Sequence, residues 1–393
     1  MNSIPMLDYN YWRTKKEIIG IGVMAGTSFD GIDVAAVCFH EEKIELLHFK
    51  TYPFLKKIIP DLFKLRDGRA IDLESFTRFH WTLGVLFADC VLDTMKAVKL
   101  KPDFIASHGQ TVYHTPEYRS DDILFHGGTL QIGEASVIAE KTGILTISDF
   151  RHADIAVGGE GAPLIPWFDA YYFSHPQKQR IFLNIGGIAN FTLVPPGGDM
   201  DKLVAYDTGP GNMVIDKLCE RLFSLPFDKG GYLAAQGSVD YPLLKELLQD
   251  TYFDLPGPKS TGRERYGAAY SEKLLSIGQK RSIQPVDLLA TATKLTSRTI
   301  ADAITREIHR NEDFEVFVSG GGWHNTTLMA MLESDLKSKN IFDFSETGIS
   351  GDAKEAAGFA ALGKATLCGQ HANVPSVTGA KKNVFLGKIS LPG

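Results

Sequence analysis

The segment "AYDTGPGNMVID" (205–216) carries residues that could do chemistry. Asp207 ends an apolar strand, and a Gly-Pro-Gly triplet that includes Gly209 and Gly211 leads from it into a helix. Open α/β sheets bind their ligands at the carboxyl ends of strands. A carboxylate placed there can be a helix cap, a magnesium ligand or a general base, and Thr208 or Asn212 could cap the helix instead. Asp207 is therefore a candidate catalytic base.

Two glycine turns could bind phosphate. The first, "AGTSFDGID" (25–33), combines Gly26 with the hydroxyls of Thr27 and Ser28, and the second is "NIGGIAN" (184–190). A glycine has no Cβ, so an anion can approach the backbone closely, and hydroxyls add hydrogen bonds. Each turn alone could be an ordinary hairpin, but their matched positions in two halves of the chain favour a nucleotide site.

A third glycine-rich segment, "VSGGGWHNTTLM" (318–329), joins a strand to a helix. A tight turn between these elements needs one glycine, and this turn has three, Gly320, Gly321 and Gly322. The extra glycines leave a flat backbone surface, which suits a ribose or a purine. We therefore expect this turn to contact a ligand.

Charged residues cluster in two further segments. In "SDFRHADIAVGGEGAPLIP" (148–166), the fork of Arg151 suits a carboxylate or a phosphate, although an Arg–Asp surface pair is the alternative. The basic residues of "PGPKSTGRERYG" (256–267) could bind anions or lie in a solvated loop. His108, in "SHGQT", ends a buried strand, and a hydrogen-bonded structural histidine is expected there.

Length and composition narrow the classes of protein. A chain of 393 residues exceeds one typical core, which predicts two domains, and the net charge of −6 argues against a nucleic-acid partner. The four cysteines are far apart and mostly in apolar surroundings, as expected of buried thiols in a reducing compartment. No apolar run approaches the roughly 18 residues of a membrane span. We expect a cytoplasmic protein that binds no membrane.

The pattern of elements repeats. The spacing of apolar residues predicts strands over 17–25, 32–40 and 43–53, followed by a helix over 73–98, and a similar hairpin begins near residue 180. A hairpin, strand and helix therefore occur twice. We predict a duplicated α/β fold with two lobes and a central interlobe cleft. The expected N-terminal lobe is 1–150, with 366–393 packed back on it, and 151–365 is the C-terminal lobe.

Eight motifs resemble, in order, those of the anhydro-N-acetylmuramic acid kinase family, within the actin, Hsp70 and sugar-kinase superfamily with its ribonuclease H-like lobes. They are "GVMAGTSFDGID", "ASHGQT", "SDFRHADIAVGGEGAPLIP", "NIGGIANFT", "AYDTGPGNMVID", "PKSTGRE", "SGGGWHN" and "PSVTGA". The resemblance runs from about Ile19 to the C-terminus. It implies a kinase that opens the 1,6-anhydro bridge of its sugar with water and phosphorylates O6 from ATP with Mg²⁺. The product, N-acetylmuramic acid 6-phosphate, belongs to peptidoglycan recycling.

The resemblance also implies roles for individual residues. The general base falls on Asp207, and Arg151, Asp154 and Glu355 fall on the side of the sugar. The ATP side comprises Gly26, Thr27, Ser28, Phe29, Asp30, Gly31, Ile32, Asp33, Gly186, Gly187, Gly209, Gly211, Gly320, Gly321, Gly322 and Asn325. The expected partner is a small anhydro amino sugar, and a homodimer stays open.

Two departures from the family pattern concern the first turn. Ala25 stands where members usually carry serine, and Val23 stands where many sugar kinases carry an acid, so the magnesium ligands are undetermined. Asp30 or Asp33 could replace that acid. Two alternatives remain: a kinase for another anhydro sugar such as levoglucosan, and a non-catalytic ATPase switch like actin or a chaperone.

Overall fold

Two units make up the chain in a computed structural model that describes residues 8–26, 29, 31–41, 43–66, 71–116, 127–308 and 313–393. The first unit is Met1–Tyr172 with Gly348–Gly393, and the second is Phe173–Thr347. These boundaries differ from the predicted ones at residues 150 and 365. The helices that follow residue 150 and precede residue 365 pack within the first unit, a tertiary effect that local sequence does not reveal.

The strands of the described ranges are β1 (Glu17–Ala25), β2 (Ile32–His40), β3 (Lys43–Tyr52), β4 (Phe104–Thr115), β5 (Gly128–Ile132), β6 (Thr146–Ser148), β7 (Gln179–Ile185), β8 (Ile188–Val194), β9 (Val204–Pro210), β10 (Phe314–Ser319), β11 (Ile341–Asp343) and β12 (Lys388–Ser390). The predicted bounds of β1 and β2 are confirmed. His108 lies inside β4 rather than at its end, because β5 pairs with the second half of that strand.

The α-helices of the same ranges are α1 (Tyr9–Thr14), α2 (Ile59–Arg66), α3 (Leu73–Val98), α4 (Ala135–Thr142), α5 (His152–Ala156), α6 (Ile165–Phe173), α7 (Asn212–Phe223), α8 (Tyr241–Leu247), α9 (Arg263–Tyr266), α10 (Ala268–Lys280), α11 (Pro285–Glu307), α12 (Thr326–Leu336), α13 (Lys354–Leu367) and α14 (Pro375–Thr378). In the described part of the chain, no helix combines the length and apolar character needed to cross a bilayer.

The two sheets share the order of five strands. In the first unit the order is β12-β6-β4-β1-β2-β3, with β5 added to β4, and in the second it is β11-β10-β7-β8-β9. Each begins with an antiparallel meander of three strands, and two later strands, β4 and β6 in the first sheet and β10 and β11 in the second, lie parallel to the first strand of that meander. This shared topology confirms the predicted duplicated α/β fold. The C-terminal strand β12 completes the first sheet by pairing with β6.

Helix α3 shows why the apolar spacing was informative. Asp72 caps its first turn, since its carboxylate accepts a hydrogen bond from the Ser75 amide at 2.8 Å. The apolar positions at helical spacing all face the core of the first unit: Phe76, Leu83, Leu86, Phe87, Val91 and Met95. Burying a large apolar side chain fully contributes roughly 1.5–3 kcal/mol, so this face holds the helix against the sheet.

Helix α11 has the same role in the second unit. Its first half, with Leu288 and Leu289, joins a cluster that includes residues of α7 and α10. Its second half, with Ile300 and Ile304, packs against the core under the second sheet. Because one helix contributes to both clusters, it fixes α7 relative to the strands that carry the candidate site.

Helix α13 packs directly on β1 through a glycine contact. An added Cβ at Gly22 would overlap the Ala356 carbonyl oxygen and lie 3.1 Å from the Ala360 amide nitrogen. Both atoms belong to the backbone of α13, so no side chain can move aside. The close approach of strand and helix therefore requires glycine at position 22.

We expect Gly22→Ala to lower the stability of the first unit by about 3 kcal/mol, because the helix must move away from the sheet. The measurement is the free energy of unfolding from urea titration. Gly128→Ala is the matched control, since no described atom lies within 4 Å of its added Cβ. Equal stability of the two variants would contradict the packing argument.

Candidate functional site

The first glycine turn is described in part. Thr27, Ser28 and Asp30 lie outside the described residues. Phe29 has a left-handed backbone, with φ of 57°, and its ring packs against Phe63 at a centroid distance of 5.2 Å. The side chains of Phe29 and Ile32 belong to the core of the first unit. These two residues therefore anchor the turn through their side chains and can offer a ligand only their main chain.

The rest of the turn is tied to its neighbours. The Gly26 carbonyl accepts a hydrogen bond from Gln110 Nε2 at 3.2 Å, and Asp33 Oδ1 accepts one from Thr51 Oγ1 at 2.6 Å. An added Cβ at Gly31 would overlap the Thr51 side chain. A side chain at position 31 would displace Thr51, and Gln110 is the side chain on β4 that holds the start of the turn.

The described residues do not test the magnesium prediction, because Asp30, one of the two candidate ligands, lies outside them. Among the residues that the structure describes, no group of three or more Asp, Glu, His or Cys side chains could hold a metal ion. Asp33, one of the two predicted substitutes for the missing acid, already accepts from Thr51. The ion that the family resemblance implies stays a prediction.

The glycine hairpin of the second unit caps helix α7. The Gly186 carbonyl accepts from the Asn212 amide at 2.7 Å, and the Gly187 carbonyl accepts from the amides of Gly211 at 2.9 Å and Met213 at 3.1 Å. An added Cβ at Gly211 would overlap the Gly186 carbonyl oxygen. The hairpin and the start of α7 therefore form one hydrogen-bonded frame, and these helix amides already have acceptors.

The glycine triplet packs against the same frame at the carboxyl end of β7. Gly320 has φ of 82°, and its added Cβ would lie 2.8 Å from the Ile185 carbonyl oxygen. Gly322 meets the Ile185 side chain, and that carbonyl also accepts from Asn212 Nδ2 at 3.0 Å. Three of the predicted turns of this unit thus converge around Ile185.

Two positions in this frame are glycine without a close packing reason. An added Cβ at Gly321 would come no nearer than 3.7 Å to a described atom, and at Gly186 no nearer than 3.6 Å. Their open faces are the ones that a ligand could approach. Asn325 differs, because its Oδ1 accepts from the Leu328 amide at 2.9 Å and caps α12.

Asp207 lies on β9 next to a long loop. Its Oδ2 accepts a hydrogen bond from the Thr261 amide at 2.9 Å, and its own amide donates to the Lys259 carbonyl at 3.1 Å. Tyr252 Oη donates to the Asp207 carbonyl at 2.8 Å. The loop 251–262 therefore fixes the strand position of Asp207 through main-chain and side-chain bonds.

The Asp207 carboxylate is suited to accept a proton near neutral pH. Burial raises its pKa to about 6, and this effect exceeds the opposing one of the Thr261 amide. The negative charge of Glu264 raises the pKa further. The Thr261 amide is the one donor to this carboxylate among the described residues. A half-buried carboxylate with one fixed oxygen and a raised pKa has the properties of a general base.

The loop that holds Asp207 also explains the glycine at position 209. Gly209 has φ of 140°, and an added Cβ would lie 2.8 Å from the Phe253 ring. Phe253 follows Tyr252 in the loop that holds Asp207. Gly209 is thus needed where strand and loop approach each other, which is a packing role beside any role toward ATP.

Asp154 is a structural carboxylate in the first unit. Its side chain is fully buried and accepts from the Gly161 amide, from Asn373 Nδ2 and from Thr378 Oγ1, each at 2.8 Å. These bonds join the glycine loop 158–161 to the C-terminal segment. Its three donors from the protein make Asp154 a loop anchor, and its expected place on the sugar side stays a prediction.

Arg151 is held by neutral acceptors. Its Nε and Nη2 donate to His108 Nε2 at 3.0 and 2.9 Å, and Nη1 donates to the Gly161 carbonyl at 2.8 Å. Burial lowers its pKa to about 10, and the charge of Glu355 opposes that shift. Glu355 is exposed in the first turn of α13. Arg151 and Glu355 are thus electrostatic neighbours within one unit.

Sequence reasoning missed the partners of these residues. The basic residues of the loop were expected to bind anions or to be solvated; Lys259 Nζ donates to the Tyr252 carbonyl at 2.9 Å, and Arg265 pairs with Asp250. The loop acts on Asp207 through the Thr261 amide, and a main-chain donor leaves no signature in side-chain chemistry. Gln110 could have been noticed in "SHGQT", where an amide follows a glycine on a buried strand.

Comparison with known proteins identifies the family. The sequence model described as "Anhydro-N-acetylmuramic acid kinase" matches residues 18–392. A protein of that name from Caldanaerobacter subterraneus subsp. tengcongensis is 40% identical over 387 residues, covering 96% of this chain and 98% of that protein. One from Bacillus thuringiensis subsp. konkukian is 40% identical over 382 residues, covering 95% and 99%.

Solved structures resemble the chain only distantly. The activator of the 2-hydroxyisocaproyl-CoA dehydratase from Clostridium difficile aligns with a TM-score of 0.43 and 10% identity, covering 89% of this chain and 96% of that one. The family match extends over nearly the whole sequence, and both relatives are covered almost from end to end. The chain therefore belongs to the anhydro-N-acetylmuramic acid kinase family.

Proposed function

We propose that this chain is an ATP-dependent kinase that opens 1,6-anhydro-N-acetylmuramic acid with water and phosphorylates O6. The product is N-acetylmuramic acid 6-phosphate, and the setting is peptidoglycan recycling in the cytoplasm. The single observation that carries the proposal is the Asp207 carboxylate, half-buried, held by one amide and with a pKa of about 6. Family membership supports the substrate and the phosphoryl transfer.

The substrate determines what the base must do. O6 of the anhydro sugar is bonded to C1, so it is not a free hydroxyl and needs no deprotonation. Water attacks C1 and its proton passes to Asp207, while the C1–O6 bond breaks and O6 takes the γ-phosphoryl group from ATP. ADP leaves, and the sugar gains one hydroxyl at C1. One correctly placed carboxylate is therefore the minimum requirement for the ring opening.

Glycine backbone would handle the phosphate charge. We assign the open faces at Gly186 and Gly321 to the nucleotide. Protein packing leaves room for a side chain at both positions, so a ligand is the reason we propose for glycine there. Backbone amides can stabilise the transferred phosphoryl group without reorganising. Mg²⁺, if bound with ATP, would neutralise phosphate charge. The first turn, Gly26 to Asp33, is proposed as the other phosphate loop.

The sugar side would be served by residues of the first unit. Arg151 offers a guanidinium whose described bonds go to neutral groups, which suits an anionic substituent such as the lactyl carboxylate. Glu355 is exposed near it and could accept from sugar hydroxyls. We propose that Asp154 acts indirectly, by holding the loop that contains Gly161. A homodimer stays a prediction.

The reaction can be tested by mass spectrometry of the product formed from the anhydro-muramic sugar and ATP in heavy-oxygen water. We expect one heavy oxygen at C1 and none in the phosphate, because water attacks carbon. Turnover of levoglucosan at an equal or higher rate would assign a different sugar. Hydrolysis of ATP without a phosphosugar would favour the ATPase switch.

Asp207→Asn should lower kcat by about 10²- to 10⁴-fold, because the amide cannot take the proton from water. Binding of ATP and sugar should persist, and calorimetry measures both. Asp216→Asn is the matched control: burial also raises the pKa of Asp216 to about 6, but that residue lies on α7 without a bond from the loop 251–262. Near-normal turnover of Asp207→Asn would remove it from the base role.

The pH profile of kcat/KM should show the titration of Asp207. Below about pH 6 the carboxylate is protonated and cannot act as base, so kcat/KM should fall as the pH decreases. Glu264→Gln should move this limb to lower pH, since removing the negative charge of Glu264 lowers the pKa of Asp207. Glu264 is exposed, so unfolding should be unchanged. An unshifted limb in this variant would argue against the assignment.

A further inference from the structure

We propose that His108 is a positioning residue that orients Arg151 without neutralising it, so that the guanidinium keeps its positive charge for an anionic group of a substrate. The inference rests on the proposed kinase function and adds to it a residue that touches no substrate. It concerns the first unit alone, where both side chains lie. The sequence had suggested only a structural histidine at this position.

The protonation of His108 follows from its partners. Nδ1 lies 2.8 Å from the Gly109 carbonyl oxygen, which can only accept, so Nδ1 carries the proton. Nε2 receives the Nε and Nη2 hydrogens of Arg151, which can only donate, so Nε2 is bare. The ring is therefore neutral, and its tautomer is set by the main chain of β4.

The surroundings keep the imidazole in place. His108 is 3% exposed, and its ring lies 4.6 Å from that of Phe359 on α13. Gly109, with φ of 79°, turns its carbonyl toward Nδ1. Burial and the charge of Arg151 lower the pKa of His108 well below its usual value, which keeps the ring neutral beside the guanidinium.

Burying the Arg151 guanidinium against a neutral acceptor lowers stability unless its positive charge binds an anion. Arg180 pairs with Glu315 and Arg265 with Asp250, whereas Arg13 and Arg306, which donate to main-chain carbonyls, are exposed. A carboxylate at position 108 would hold Arg151 more strongly and would cancel its charge. Burying a guanidinium on imidazole and carbonyl acceptors is less favourable for stability. That arrangement makes sense where an incoming anion supplies the missing charge.

The third hydrogen bond of Arg151 extends the same arrangement. Arg151 Nη1 donates to the Gly161 carbonyl, and the Gly161 amide donates to Asp154. The buried carboxylate of Asp154 thus fixes the loop, and the loop fixes one end of the guanidinium. Arg151 is thus held by His108 on one side and by Gly161 on the other. The negative charge of Asp154 contacts Gly161 rather than the guanidinium. Glu355 lies one helical turn before Phe359, so α13 contributes both the ring packing and the nearby acid.

The test compares three substitutions at one position in the full-length chain. His108→Gln keeps a neutral acceptor, His108→Glu keeps an acceptor but adds negative charge, and His108→Leu removes the acceptor. The readouts are KM for the anhydro-muramic sugar, KM for ATP, kcat and the thermal midpoint of unfolding. An increase in KM for the sugar would identify the substrate carboxylate as the anion, and an increase in KM for ATP would identify phosphate.

We expect His108→Glu to raise one of the two KM values by about 10- to 100-fold, because the charge of Arg151 is cancelled, and to keep or raise the thermal midpoint. His108→Gln should stay much closer to the wild type. A merely structural histidine predicts the opposite order, since the glutamate would hold Arg151 best. His175→Glu, in the second unit, is the control for introducing the same charge.

The inference fails if wild-type enzyme turns over and His108→Glu has both KM values of the wild type. The test compares His108→Gln with His108→Glu, so it stays valid even if His108→Leu does not fold. The proposed function fails separately, if the wild-type chain forms no phosphosugar. The two failures are therefore distinguished by the wild-type assay alone.

Discussion

The arrangement of the second unit depends on main-chain hydrogen bonds at the carboxyl end of its first strand. Carbonyls of Gly186 and Gly187 accept the first amides of α7, so hairpin, helix and strand β9 share one frame. Asp207 lies on β9 four residues before Gly211, and its position follows from that frame and from the loop that reaches it with the Thr261 amide. A side chain at Gly211 would push the hairpin and the helix apart and would therefore move the proposed base.

The charged side chains discussed above are of two kinds. In the first unit, Asp154 is surrounded by three donors and its charge serves to join loop segments. Arg151 has only neutral acceptors among its described hydrogen bonds, and we propose that its charge serves a ligand. In the second unit, Asp207 has one described donor and a raised pKa. Satisfied charges build the scaffold, and incompletely satisfied ones are the candidates for chemistry.

Much of the fold was predictable because it depends on local pattern. Apolar spacing placed α3 at its observed bounds, and the hairpins around both glycine turns appeared as paired apolar runs. The strand β4 was predicted too short, since its second half is held by pairing with β5 rather than by its own composition. The unit boundaries differed as well, because α5, α6 and α13 join the first unit through tertiary packing.

The sequence by itself determined the types of residue available: a carboxylate after an apolar strand, glycines at three turns, and an arginine beside a glycine loop. These follow from local chemistry, and with the ordered motifs they identified the family. Only the tertiary structure decided which charges are satisfied. Asp154 and Asp207 are both aspartates near glycines, yet one has three donors and the other one among the described residues. Their donors come from distant segments and partly from the main chain, and no local pattern encodes those contacts.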